Sequence, residues 1–216
     1  SAMNFLAHCA LASDASQCWP DGKPWLEGLL AGAVLADFSK GPIPQALPAE
    51  LQAGIRLHRR IDAYSNQHPA IRDACANFPK ELRRLAPIFI DILTDHYLSL
   101  AWHDYYPAPR TAFTTRCYEA CEHYSSRSEY ADLEPLRRFI NYMRDSDLLA
   151  SYHQWTHVER GLHSVLRRLG KEALLPEVVA ACRAQHDSGQ SAFRIYFPDL
   201  RQQLASWSQL MNPKRG

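Results

Sequence analysis

The chain predicts an all-α fold, and three observations lead there. Apolar residues recur at helical period, no hairpin signal or sustained period-two alternation is present, and prolines and glycines punctuate the pattern at helix-length intervals. The 216 residues, 46% of them hydrophobic, are enough to bury a substantial core as one domain. The first helix is expected over Asn4 to Ala12, followed by a polar loop from Ser13 to Pro24. A small-residue helix then spans Trp25 to Phe38, where Gly28, Gly32, Ala33 and Ala36 permit close helix packing. Gly41-Pro42-Ile43-Pro44 breaks the chain, and Pro48 opens a helix running to about Tyr64. His68-Pro69 starts a short helix. Beyond Pro79 a long stretch reaches Tyr105, with Pro87 either kinking or dividing it, and Pro107 and Pro109 end the unit. Further helices are expected at about Thr111 to Ser126, Leu133 to Leu149, Thr156 to Leu169 and Leu175 to Tyr196, with a short one near Asp199 to Leu210. No internal repeat, low-complexity tract or linker interrupts them, so one helical bundle from residue 3 to 216 is the simplest organisation. Ser1-Ala2 before Met3 reads as an expression scar.

Composition narrows the function classes. No apolar run approaches the length of a bilayer span and no signal peptide opens the chain, so neither a membrane nor an export route is expected. The six cysteines form no CxxC pair and no disulfide framework, and Cys117 and Cys121 read as small packing residues; a reducing cytoplasm follows. A net charge of +1 argues against a generic nucleic-acid partner. Oligomeric state leaves no signal.

Chemistry concentrates in a few segments. Asp91 and Asp95 lie four apart on one face of an apolar helix, with His96 directly after. Burying two carboxylates is costly unless a cation compensates them, so the segment is either one wall of a divalent-metal site or a pair of surface acids bonded to arginines. His58 and Asp62 share a face of Gly54-Ile55-Arg56-Leu57-His58-Arg59-Arg60-Ile61-Asp62, which suits a divalent metal or a single His–Asp hydrogen bond. Asp37 ends a glycine- and alanine-rich apolar helix, and His8 interrupts the apolar first helix. Helices that each bring His or Asp to a buried side build metal sites in bundles, and a carboxylate–imidazole mixture favours manganese or magnesium over structural zinc. His153 and His157, four apart around Trp155, lack accompanying carboxylates and read as packing residues. His186 carries no signal, and Arg167-Arg168 reads as a solvated helix face.

Met3-Asn4-Phe5-Leu6-Ala7-His8, Leu35-Ala36-Asp37-Phe38 with Lys40-Gly41, the GIRLHRRID run, His68-Pro69 and Asp91-Ile92-Leu93 with Asp95-His96 resemble the bacterial acyl carrier protein phosphodiesterases. The resemblance is dense from about Met3 to Trp102 and looser beyond; one departure is the longer, Trp-containing connection from Ser13 to Trp25. It implies metal-dependent removal of 4′-phosphopantetheine from holo-acyl carrier protein, on a helical fold similar to the HD-type phosphohydrolases. Manganese is the implied metal, with magnesium or iron as alternatives. By that resemblance Asp37, His58, Asp95 and His96 are expected as ligands and His8 as a further site residue. Asp62 or Asp91 would orient a ligand or act as general base, and His68 would protonate the leaving alkoxide. Arg59 and Arg60 would add positive charge at the phosphate, and Arg56, Arg83 and Arg84 would face the acidic carrier. Two alternatives stay open: a phosphohydrolase of nucleotides or other small phosphate esters, and a non-catalytic carrier-binding protein.

Overall fold

The computed structural model describes residues 4–19, 23–127, 129 and 133–211. Among the described residues all regular structure is helical: α1 Phe5–Gln17, α2 Lys23–Leu35, α3 Ala49–Gln67, α4 Pro69–Ala76, α5 Ala86–Leu100, α6 Trp102–Tyr105, α7 Arg110–Ser125, α8 Glu134–Asp145, α9 Leu148–Ser151, α10 Trp155–Arg168, α11 Leu175–Ala184 and α12 His186–Met211. Short 3₁₀ turns follow α2 (Ala36–Phe38) and precede α5 and α11. Among the described residues no helix is long and apolar enough to cross a membrane. Residues 1 and 2, read as a scar, lie outside the described residues.

The bundle is built around α1. Phe5, Leu6, Ala7, Cys9, Ala10, Leu11, Ala12 and Ala15 are all buried, so this helix is covered nearly all round, as a helix without a polar face must be. It packs on α2, α3, α5 and α12. Its last turn is fastened to distant elements through Asp14, which accepts from Tyr106 Oη (2.8 Å) and Arg201 Nε (2.9 Å). Burial of Ala15 and Ser16 is also why α1 runs five residues past the expected Ala12, into the stretch read as a loop. Trp19 and Trp25 flank the remaining connection and stack at 5.5 Å.

The small-residue face of α2 meets α3 at backbone contact. A Cβ on Gly32 would stand 2.7 Å from Gly54 Cα, and one on Gly54 would stand 2.8 Å from Gly32 Cα. Only hydrogen at both positions lets the two axes approach this closely.

Other boundaries also differ from the sequence pattern. Pro87 neither kinks nor interrupts α5 but sits in its first turn, where its missing N–H costs nothing. The helix expected over Leu133 to Leu149 ends at Asp145, because Asp147 is left-handed (φ 47°). Tyr118 Oη donates to Asp147 Oδ1 at 2.7 Å and accepts from the Leu149 N–H at 3.0 Å, holding that corner before α9. Finally, the break expected after Tyr196 falls at Gln185, whose side chain donates to Asn77 O. α12 then continues through Pro198, since Phe193, Tyr196, Phe197, Leu200 and Leu204 bury one continuous face.

Candidate active site

His58 projects from α3 one turn beyond the Gly54 contact. Its Nδ1 lies 2.9 Å from Ala33 O of α2, and a carbonyl can only accept, so Nδ1 carries the proton and Nε2 is turned outward. Nε2 stands 3.3 Å from Asp62 Oδ2 and 3.5 Å from Asp37 Oδ1. His8 of α1 stacks on His58, ring centroids 3.6 Å apart and 10° from parallel, and its Nε2 is 3.0 Å from Asp62 Oδ1. Asp62 thus spans both imidazoles. His8 and His58 are 1% and 3% exposed while the Asp62 side chain is 36% exposed, so the cluster opens to solvent at Asp62.

Two stacked imidazoles cannot both hold a charge. Burial, then the neighbouring His58, lowers His8 to about 4. Burial also works against a charged His58, but the Asp62 hydrogen bond and the charges of Asp37 and Asp62 outweigh it and raise its pKa. Burial pushes Asp62 up, yet the adjoining imidazoles pull its carboxyl well below the usual carboxylate range. Asp91 of α5 sits nearby and, with His8, Asn4 and Thr94, lines a cavity of about 10 Å³. Burial and the charges of Asp62, Asp95 and Asp37 hold Asp91 well above an ordinary carboxylic acid. Asp62, Asp91 and Asp95 form no ion pair with Lys or Arg among the described residues.

Asp95 has another task. It accepts from the Leu6 N–H at 3.1 Å and the Ala7 N–H at 2.8 Å, capping the buried start of α1, where Asn4 makes no side-chain cap. Both oxygens are engaged there. Asp95→Ala would strand two buried amides, so a loss of about 1–3 kcal/mol is expected in urea unfolding. Wild-type stability would remove the cap from the account.

His96, the neighbour of Asp95, points elsewhere. Its Nδ1 meets Tyr152 O at 2.7 Å and its Nε2 meets His186 Nε2 at 3.2 Å. His68 caps α4, accepting from the Ala70 N–H at Nδ1 and donating from Nε2 to Asp199 at 2.8 Å, so both nitrogens are occupied on a separate groove. Asp95, His96 and His68 of the expected site thus face other partners in this structure. His58 lies with His8 and Asp62, with Asp37 beside them and Asp91 alongside. Arg59 donates to Ser39 O at 3.0 Å, steadying the segment after Asp37, while Arg60 lies over Trp207. Arg56 reaches Gln52 and Arg83 reaches Phe78 O. Arg56, Arg60, Arg83 and Arg84 are exposed.

Donor atoms of His8, His58 and Asp62 lie within 4.8 Å of one another. His58 is also oriented by a carbonyl on its far nitrogen, the usual arrangement behind a metal-bound imidazole. The donor set fits a divalent cation. The fold and site thus define an all-helical protein with a buried imidazole–carboxylate cluster suited to metal-assisted hydrolysis.

Residues 3–200 match the family model described as acyl carrier protein phosphodiesterase, and the chain belongs to that family of hydrolases. Proteins named acyl carrier protein phosphodiesterase from Escherichia coli O6:H1 (strain CFT073) and O45:K1 (strain S88) are each 31% identical over 209 residues, covering 94% of this chain and 98% of theirs. No solved structure gives a significant match.

Proposed function

We propose that this protein hydrolyses the phosphodiester joining 4′-phosphopantetheine to the serine of holo-acyl carrier protein, releasing the arm and the apo-carrier. The observation that carries this is the convergence of His8, His58 and Asp62 within 4.8 Å, beside Asp37, in a chain of this family. His8, His58, Asp62 and Asp37 would hold a divalent cation, manganese by preference, with magnesium or iron as alternatives. Such an ion supplies Lewis acidity and lowers the pKa of bound water. Around it the chain's own groups divide the work. Asp62, at the solvent edge, orients the two imidazoles. Asp91, which lines the small cavity beside His8, delivers a proton to the departing serine oxygen in place of His68. The exposed Arg56, Arg60, Arg83 and Arg84 form no ion pairs among the described residues and offer a basic face to an acidic carrier.

The test is the mass of the carrier. With manganese, purified protein is expected to convert holo-carrier to apo-carrier; a chelator stops the conversion and added manganese restores it. Holo-carrier left intact, with nucleotides consumed instead, would favour a small-molecule phosphohydrolase.

A further inference from the structure

A larger cavity, of about 360 Å³, adjoins the cluster through Asp37 and falls within the roughly 300–1,000 Å³ of small-molecule sites. One wall is aromatic: Phe5, Phe38 and Phe139, with ring centroids at 5.4 Å and 5.0 Å. Another part of the lining is a stripe of α10, where Arg160, Ser164 and Arg168 recur at helical spacing. Arg160 and Arg168 are exposed and form no ion pair among the described residues. Tyr152, 1% exposed, also lines the cavity, and its buried hydroxyl has no hydrogen-bond partner among the described residues. Apolar faces combined with free donors in one cavity suit a ligand that is itself a methylene chain interrupted by amides, and less well a flat base or a compact sugar.

We infer that this cavity seats the phosphopantetheine arm of the substrate, an assignment that rests on the proposed activity for the arm's identity. The phosphate lies at the Asp37 end, against the His58–Asp62 cluster. From there the arm runs away from the carrier, its gem-dimethyl group and methylenes on Phe5, Phe38 and Phe139. Its amide carbonyls accept from α10 side chains, and the Tyr152 hydroxyl gains the partner it lacks. The carrier itself stays outside, on the side where the cluster opens to solvent at Asp62. This gives α8, α9 and α10 a binding role that charge runs such as Arg167-Arg168 conceal.

Binding of 4′-phosphopantetheine itself, measured by calorimetry with manganese present, tests the assignment apart from turnover. Ser164 is small and exposed on α10, so Ser164→Trp fills the cavity without entering the core. Wild-type protein is expected to bind the arm, and the variant to bind it about tenfold or more weakly with unchanged circular dichroism. Arg160→Glu serves as a second variant and is expected to weaken binding as well. Equal affinity in wild-type and both variants overturns the assignment, as does a wild-type protein that cleaves holo-carrier without binding the arm. A protein that binds the arm in this Ser164-sensitive way yet leaves holo-carrier intact keeps the cavity assignment and sinks only the proposed hydrolysis.

Discussion

Asp62→Ala is expected to lower kcat/KM on holo-carrier by about a thousandfold or more while the protein stays folded. Asp62 contacts both imidazoles, at 3.0 Å to His8 and 3.3 Å to His58. Its loss removes a ligand atom and also the group that holds the stacked rings in register. Removing a partner that only orients a metal ligand costs about 10–100-fold, so a larger loss distinguishes direct participation from support. The side chain is 36% exposed, so little core packing is at stake. Steady-state kinetics, with manganese content after dialysis as a second readout, decides the matter. Full activity with full metal loading would end Asp62's place in the site.

Gly54→Val is expected to be the most damaging change to the fold. A Cβ there meets Gly32 Cα at 2.8 Å and Gly28 O at 2.9 Å, both backbone atoms that cannot rotate aside. α2 and α3 must then separate, at a cost of about 3 kcal/mol or more. For a chain of this size that is a fall in melting temperature of about 10 °C, or failure to fold. Gly161→Ala is the matched control: its nearest neighbour, Ile92 Cγ2, would be at an ordinary 3.5 Å, and it should melt like wild type. Because Ala33 O of α2 orients His58 of α3, any folded Gly54 variant should also lose activity. Equal melting temperatures for Gly54→Val and wild type would mean the helices do not meet there.

Much of this was legible from spacing. Helical period predicts the elements, the Gly28–Gly32 stripe predicts the close crossing, and four-residue spacing puts His58 and Asp62 on one face. His8 was visible as an anomaly, a polar ring in an apolar helix. What spacing could not show was direction. Asp95 and His96 are adjacent, so they leave α5 about 100° apart, and here they face different neighbours. One turns to the amides of α1 and the other to Tyr152 and His186. Nor could any local pattern reveal that α1 takes its cap from a residue 89 positions away. The cavity against α10 escaped for the same reason: its walls come from five separate segments, none of them unusual alone.

The distant fastening of α1 sets an order of assembly. During synthesis α1 leaves the ribosome ahead of these partners, apolar on nearly every side, and Asp95 on α5 follows some ninety residues later. Arg201, which grips Asp14, follows later still. At about 5–20 residues per second, that helix waits roughly ten seconds or more for its complete set of partners. Since α1 carries His8, the cluster rests on a helix whose Asp95 cap and Arg201 contact are made only after its own residues have emerged. The nascent protein is exposed to aggregation and chaperones over that interval.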